Sequence, residues 1–132
     1  MMVLSLRLSI ILGSNHLERV EFASMTAFLA SSMGDDVIVF ATMDGVNAFR
    51  KEPLLLTEAD SARIISKTEN GGRFTEYFRK AKETGKVKIT ACSMASRLFG
   101  LNREDFTDVV DGIGGLTSFL DSSEGSNMMS IW

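Results

Sequence analysis

Apolar residues along this chain fall into two rhythms that take turns. Leu4, Leu6, Leu8 and Ile10 alternate with Ser5, Arg7 and Ser9, and Ile10-Ile11-Leu12 then runs unbroken to Gly13. A period of two predicts a first strand. Ser14 and Asn15 are good N-cap residues for the helix that should follow. From Leu17 the apolar positions Leu17, Val20, Ala23, Ala27, Phe28 and Ala30 recur at helical spacing, and Gly34 closes the pattern as a C-cap would. Asp35-Asp36 then lead into Val37-Ile38-Val39-Phe40-Ala41, whose continuous apolarity predicts a strand covered on both faces.

The alternation continues to the end of the sequence. Thr42 to Pro53 reads as a loop with a short helical stretch at Val46 to Arg50. Helices are predicted over Ser61 to Ser66 and Arg73 to Thr84, separated by the break Asn70-Gly71-Gly72, with Gly85 closing the second. Val87 to Ala91 predicts a third strand, Ser93 to Phe99 a helix ended by Gly100, and Arg103 to Phe106 an extra turn. Val109-Val110 reads as a short fourth strand, Gly115 to Leu120 as a short helix, and Met128 to Trp132 as a last strand. Strand and helix in steady exchange imply right-handed crossovers. The expectation is one three-layer α/β domain over residues 1–132, of the flavodoxin-like or Rossmann-like kind. Its sheet should be mostly parallel, with about five strands and helices on both faces.

Composition narrows the function classes. At 45% hydrophobic, with Pro53 the single proline, the chain is neither disordered nor collagen-like. No apolar run approaches the ~18–20 residues that a bilayer span needs. The opening stretch carries Arg7 and interleaved serines without a cleavage pattern after it, so it reads as strand rather than signal peptide, and a cytoplasmic location is expected. Fourteen basic against 17 acidic side chains leave no surplus for displacing counterions from nucleic acid. One cysteine, Cys92, and one histidine, His16, give no intrachain disulfide and too few ligands for a structural zinc site. No metal is expected.

In an open parallel sheet, ligands bind where the carboxyl ends of the strands meet. The segments expected there are Gly13-Ser14-Asn15-His16, Thr42-Met43-Asp44-Gly45, Cys92-Ser93 and Asp111-Gly112-Ile113-Gly114-Gly115. The one thiol and the one imidazole both fall on this edge. Cys92 stands where a strand hands over to a helix, and free amides and the helix dipole at such a turn favour the nucleophilic thiolate. Arg97, about one turn on, would add positive charge if it bent back. The other reading makes Cys92 a small buried hydrophobe, a common fate for cysteine. His16 could steady a thiolate or an anion, or simply be solvated. Asp44-Gly45 is a turn signal before it is a site. Gly114 and Gly115 could offer amides to an anion, although the GxGxxG spacing of a dinucleotide site is absent. Nucleophile elbow, Walker A and HExxH motifs are absent too. Met128-Met129 and Trp132 suggest a terminal segment docked on the sheet or at a subunit interface.

Together these features resemble the DsrE/DsrF-like family. The resemblance rests on the order of elements, the strand ending at a lone cysteine in Lys88-Ile89-Thr90-Ala91-Cys92-Ser93-Met94-Ala95, the downstream Gly114-Gly115 and the closing aromatic strand. Asp44-Gly45-Val46 followed by Arg50-Lys51 is similar to its archaeal and bacterial members. The resemblance implies a sulfurtransferase or sulfur carrier that holds sulfane sulfur as a persulfide on Cys92. Ser14, Asn15, His16, Asp44, Gly45, Ser93, Arg97, Gly114 and Gly115 are its pocket candidates. It also implies sulfur donor and acceptor proteins as partners, trimers or hexamers (sometimes with related subunits), and no metal or organic cofactor. Some members lack the cysteine and serve as partner subunits, so the alternative is a non-catalytic oligomeric binding subunit in which Cys92 is inert or a redox sensor. Peroxide reduction ranks lower, because no resolving cysteine is present. Placement of the sulfur deep among aliphatic groups, without a solvent path, would end the carrier reading.

Overall fold

The computed structural model describes residues 6–68 and 73–132. The expected start of the first strand at Leu4 and the Asn70-Gly71-Gly72 break lie outside the described residues. The element order is β1 (Arg7–Leu12), α1 (Leu17–Ser32), β2 (Asp36–Ala41), a 3-10 segment (Met43–Phe49), α2 (Asp60–Ser66) and α3 (Phe74–Glu83). It continues with β3 (Val87–Cys92), α4 (Ser93–Leu98), a 3-10 turn (Arg103–Asp105), β4 (Gly112–Gly114), α5 (Leu116–Ser122) and β5 (Asn127–Ile131). The five strands form one sheet in the order β4-β3-β2-β1-β5, and all four pairings are parallel. This is the α/β architecture that the alternation implies.

Crossover handedness decides which face each helix covers. The steps β1→β2→β3→β4 all run one way across the sheet, and right-handed connections put α1, α3 and α4 on one face. The return from β4 to β5 runs the other way, so among the described residues α5 is the helix that covers the opposite face. Side-chain alternation agrees. Phe40 stacks on Phe119 of α5 with ring centroids 4.7 Å apart. Val37, Val39 and Ala41 therefore face the α1 side, in register with Leu8, Ile10 and Leu12 of β1. That side holds the main core, where Ile10, Leu12, Val39 and Ile89 meet Val20, Ala23 and Ala27 of α1 and Phe78 of α3, all buried.

Two expectations are corrected. The α1 N-cap is His16, not Ser14 or Asn15, and it makes no side-chain capping bond. Ser14 Oγ instead accepts from the His16 amide at 3.1 Å, and Asn15 Nδ2 donates to the Leu54 carbonyl at 3.1 Å. Their side chains tie the loop down rather than cap the helix. The fourth strand is Gly112–Gly114, not Val109-Val110. Both valines are buried, and the Val110 amide turns back to the Thr107 carbonyl. Burial in a turn mimics the apolar signal of a strand. Gly112–Gly114 has almost no strand propensity, yet pairs with Thr90–Cys92 because Asp111 fixes the register. Its amide donates to the Ile89 carbonyl at 2.8 Å, and its Oδ2 accepts from the Ile89 amide at 2.7 Å. Asp111-to-Gly115 is thus mostly the strand itself and not the loop after it.

Candidate functional site at the carboxyl edge of the sheet

The residues singled out from the sequence separate into two groups. The first gathers at the ends of β1, β2 and β5. Ser14, Asn15, His16 and Asp44 line one open crevice together with Arg19 and Trp132. Trp132 lies across Gly13: a β-carbon placed on that glycine would come within 2.7 Å of Cδ2 of the indole. Arg19 donates from its guanidinium to the Trp132 carbonyl, which holds the end of β5 against α1. Gly45 is buried beneath this crevice. A β-carbon there would sit 2.9 Å from the Leu12 carbonyl carbon, closer still to its oxygen, and 3.3 Å from the Ser14 nitrogen. Glycine is needed at Gly45 for close backbone approach.

The second group surrounds the thiol. Cys92 is the last residue of β3 and the N-cap of α4, in register with Gly114 of β4. Gly115 is the N-cap of α5, and a β-carbon on it would meet Ser93 Oγ at 4.0 Å. Ser93, Gly114 and Gly115 therefore stand beside Cys92. His16 and Asp44 belong to the other crevice, and Arg97 is exposed on α4 with no hydrogen bond or ion pair to Cys92. The thiol residue is 4% exposed and its side chain makes no capping hydrogen bond to α4. The backbone is at the expected edge, but the sulfur is covered in the isolated chain.

The face of β3 that carries Cys92 also borders a cavity. Alternation puts Lys88, Thr90 and Cys92 in one row on the α5 side. Lys88 and Thr90 line a cavity of about 260 Å³ between β3, β4 and α5, together with Gly112, Gly114, Ser118 and Phe119. Residue-type reasoning passed over Lys88, Thr90 and Ser118. The signal was present in Val87-Lys88-Ile89-Thr90-Ala91, where polar residues at alternate positions mark an incompletely covered face. Asp111 also lines this cavity, but its carboxylate is occupied: Lys82 Nζ lies 2.6 Å from Oδ2, beside the Ile89 amide.

The sequence model for the DsrE/DsrF-like family matches residues 10–125. This chain belongs to that family. The family works in sulfur relay, and its model runs from within β1 to beyond α5. An uncharacterized Bacillus subtilis protein, YrkE, is 26% identical over 150 aligned positions covering 91% of this chain and 93% of its own. The fold is similar to that of MTH1491, a protein of unknown function from Methanobacterium thermoautotrophicum (TM-score 0.64, 16% identity, covering 96% of this chain and 99% of that one). It is equally similar to the Escherichia coli ychN protein (TM-score 0.64, 14% identity, covering 97% and 100%). Both likenesses concern the fold. Among the described residues, no helix of this DsrE/DsrF-like chain is long and apolar enough to cross a membrane.

Proposed function

We propose that this protein is a sulfur carrier or sulfurtransferase of a sulfur relay, with Cys92 taking up sulfane sulfur as a persulfide and handing it to a partner protein. One observation carries the reading: the chain's single cysteine ends β3 at the carboxyl edge of a parallel sheet, in a chain belonging to a sulfur-relay family. The step balances without an outside oxidant. The Cys92 thiol gives its proton to solvent, and the sulfur attacks the outer sulfur of a donor persulfide. The donor thiolate leaves with the bonding electron pair, and an acceptor thiolate later repeats the displacement on the Cys92 persulfide. Ser93, Gly114 and Gly115 are the neighbours of Cys92 along the chain and across the sheet edge. At 4% exposure, loading requires the β3–α4 turn to open transiently and admit the donor. The site is read as acting in the cytoplasm, in a trimer or hexamer or with related subunits. The exposed apolar stripe of Phe22, Met25 and Leu29 on α1 and Met33 at its C-cap supports assembly.

The same burial favours a second reading, a non-catalytic oligomeric subunit in which Cys92 only packs. Intact-mass measurement after incubation with a low-molecular-weight persulfide separates the two. A gain of one sulfur atom that vanishes in Cys92→Ser supports the carrier. No gain with any donor, or a gain that survives in Cys92→Ser, overturns it and leaves the binding subunit.

A further inference from the structure

The cavity beside β3 and β4 has a chemistry of its own. Its two charged lining residues differ in status. Asp111 is neutralised by Lys82 and further held by the Ile89 amide. Lys88 is exposed and forms no ion pair among the described residues. The lining therefore carries one uncommitted positive charge, with the hydroxyls of Thr90 and Ser118 near it and the rings and methyls of Phe119 and Ile38 on the other walls. A volume of about 260 Å³, below the roughly 300–1,000 Å³ of sites for drug-sized ligands, suits a small ion. The space exists because β4 is glycine-rich. A β-carbon on Gly112 would meet nothing within 4 Å, so it would project into the empty volume.

We infer that this cavity binds a small sulfur oxyanion carrying a sulfane sulfur, of which thiosulfate is the simplest, and presents it to Cys92. The charge fits an anion, the hydroxyls fit its oxygens, and the apolar wall fits a polarizable, weakly hydrated sulfur. Cys92 does not itself line the cavity: it is two residues beyond Thr90 in the same row, about 7 Å along the strand, beside the lining residue Gly114, its register partner, so transfer needs the same opening of the β3–α4 turn as loading from any other donor. The transfer rests on the carrier reading given above; the binding does not. In the transfer the deprotonated Cys92 sulfur attacks the sulfane sulfur, the sulfur–sulfur bond of thiosulfate breaks, and sulfite leaves with the electron pair. Cys92 keeps the persulfide, and no net oxidant or reductant is consumed. Lys88 is a positioning residue in this scheme, since it holds the oxyanion end and touches no bond that changes.

The test uses the full chain and thiosulfate itself. In the Cys92→Ser protein, amide resonances of Thr90, Gly112, Gly114 and Ser118 should shift saturably on titration. Lys88→Gln should weaken that binding about tenfold, the loss expected for a charge-assisted contact, and Lys88→Arg should restore most of it. Gly112→Val, which fills the cavity where nothing stands in the way, should abolish the shifts while the circular dichroism stays native. With Cys92 present, sulfite release and the gain of one sulfur atom should fall in parallel in both variants. Two results overturn the inference: no saturable shift at these amides, or sulfite release untouched by Lys88→Gln and Gly112→Val. If thiosulfate fails but a low-molecular-weight persulfide loads Cys92, the inference alone falls. If every donor fails, the carrier reading falls and takes the donor role of the cavity with it.

Discussion

Replacing Gly45 by alanine tests how tightly the ends of β1 and β2 are joined beneath the polar crevice. The new β-carbon would lie 2.9 Å from the Leu12 carbonyl carbon, closer than real β-carbons come to backbone, and 3.3 Å from the Ser14 nitrogen, a tight contact. No side chain can swing aside, because all the obstructing atoms are main chain. The Leu12 carbonyl is also the acceptor for the Thr42 amide at 2.9 Å, so moving it strains the bond joining the two strand ends. Overpacking a tight site costs about 1–3 kcal/mol, and a lost backbone hydrogen bond adds about 1 kcal/mol. Gly45→Ala should therefore destabilise the fold by about 3 kcal/mol, or about 10 °C in melting temperature for a chain of this size. Gly13→Ala provides the internal comparison. Its β-carbon would strike the Trp132 indole, which is 56% exposed and free to rotate outward. That substitution should cost under about 1 kcal/mol but change the fluorescence of the only tryptophan. Urea unfolding followed by far-ultraviolet circular dichroism, with Trp132 emission recorded in parallel, measures both. If Gly45→Ala stays within about 0.5 kcal/mol of the parent, or if Gly13→Ala costs more than it does, the close-approach reasoning is wrong.

Three further outcomes are expected. Phe119 is the one buried residue of α5 and stacks on Phe40, so Phe119→Ala should cost about 3 kcal/mol and speed amide exchange along α5. Asp111→Ala removes the partner of Lys82 and an acceptor of the Ile89 amide, and should cost about 2 kcal/mol, whereas Lys82→Met should cost less than about 1 kcal/mol; a denaturation series showing the reverse order would contradict the register role of Asp111. Because Cys92 is 4% exposed, its alkylation by iodoacetamide should be at least about tenfold slower in the folded chain than in urea, and equal rates would refute its burial.

Much of the architecture was legible because it follows from periodicity. The strands from Arg7, Asp36 and Val87, and the helices from Leu17 and Phe74, are set by local patterns of apolar spacing. What was not legible depends on contacts between distant residues. Gly112–Gly114 becomes a strand through the tether of Asp111 to Ile89, and neither glycine nor the burial of Val109 and Val110 announces it. Ser14 and Asn15 have the right composition for a cap, but Leu54 and the His16 amide claim their side chains. At the site, strand ends correctly brought Ser14, Asn15, His16 and Asp44 to one edge. The distance between β1 and β3 in the sheet order, with β2 between them, keeps that group apart from Cys92.

The order of strands also explains why a cavity opens beside the thiol row. Three crossovers run in one direction and one returns, so among the described residues a single helix covers a face five strands wide. Five strands span about 19 Å between the outermost pair at a spacing near 4.8 Å, while one helix with its side chains is about 10 Å across. α5 is anchored over β2 by Phe119 on Phe40, which leaves β3 and β4 with incomplete cover. Polar Lys88 and Thr90 are tolerated there for that reason, and Gly112 and Gly114 deepen the gap by contributing no side chain. The cavity is thus a consequence of topology and of two glycines, not of a specialised loop. It follows that the row ending at Cys92 can be closed by enlarging residue 112 without disturbing the main core, which is packed on the opposite face around Ile10, Val39 and Ile89.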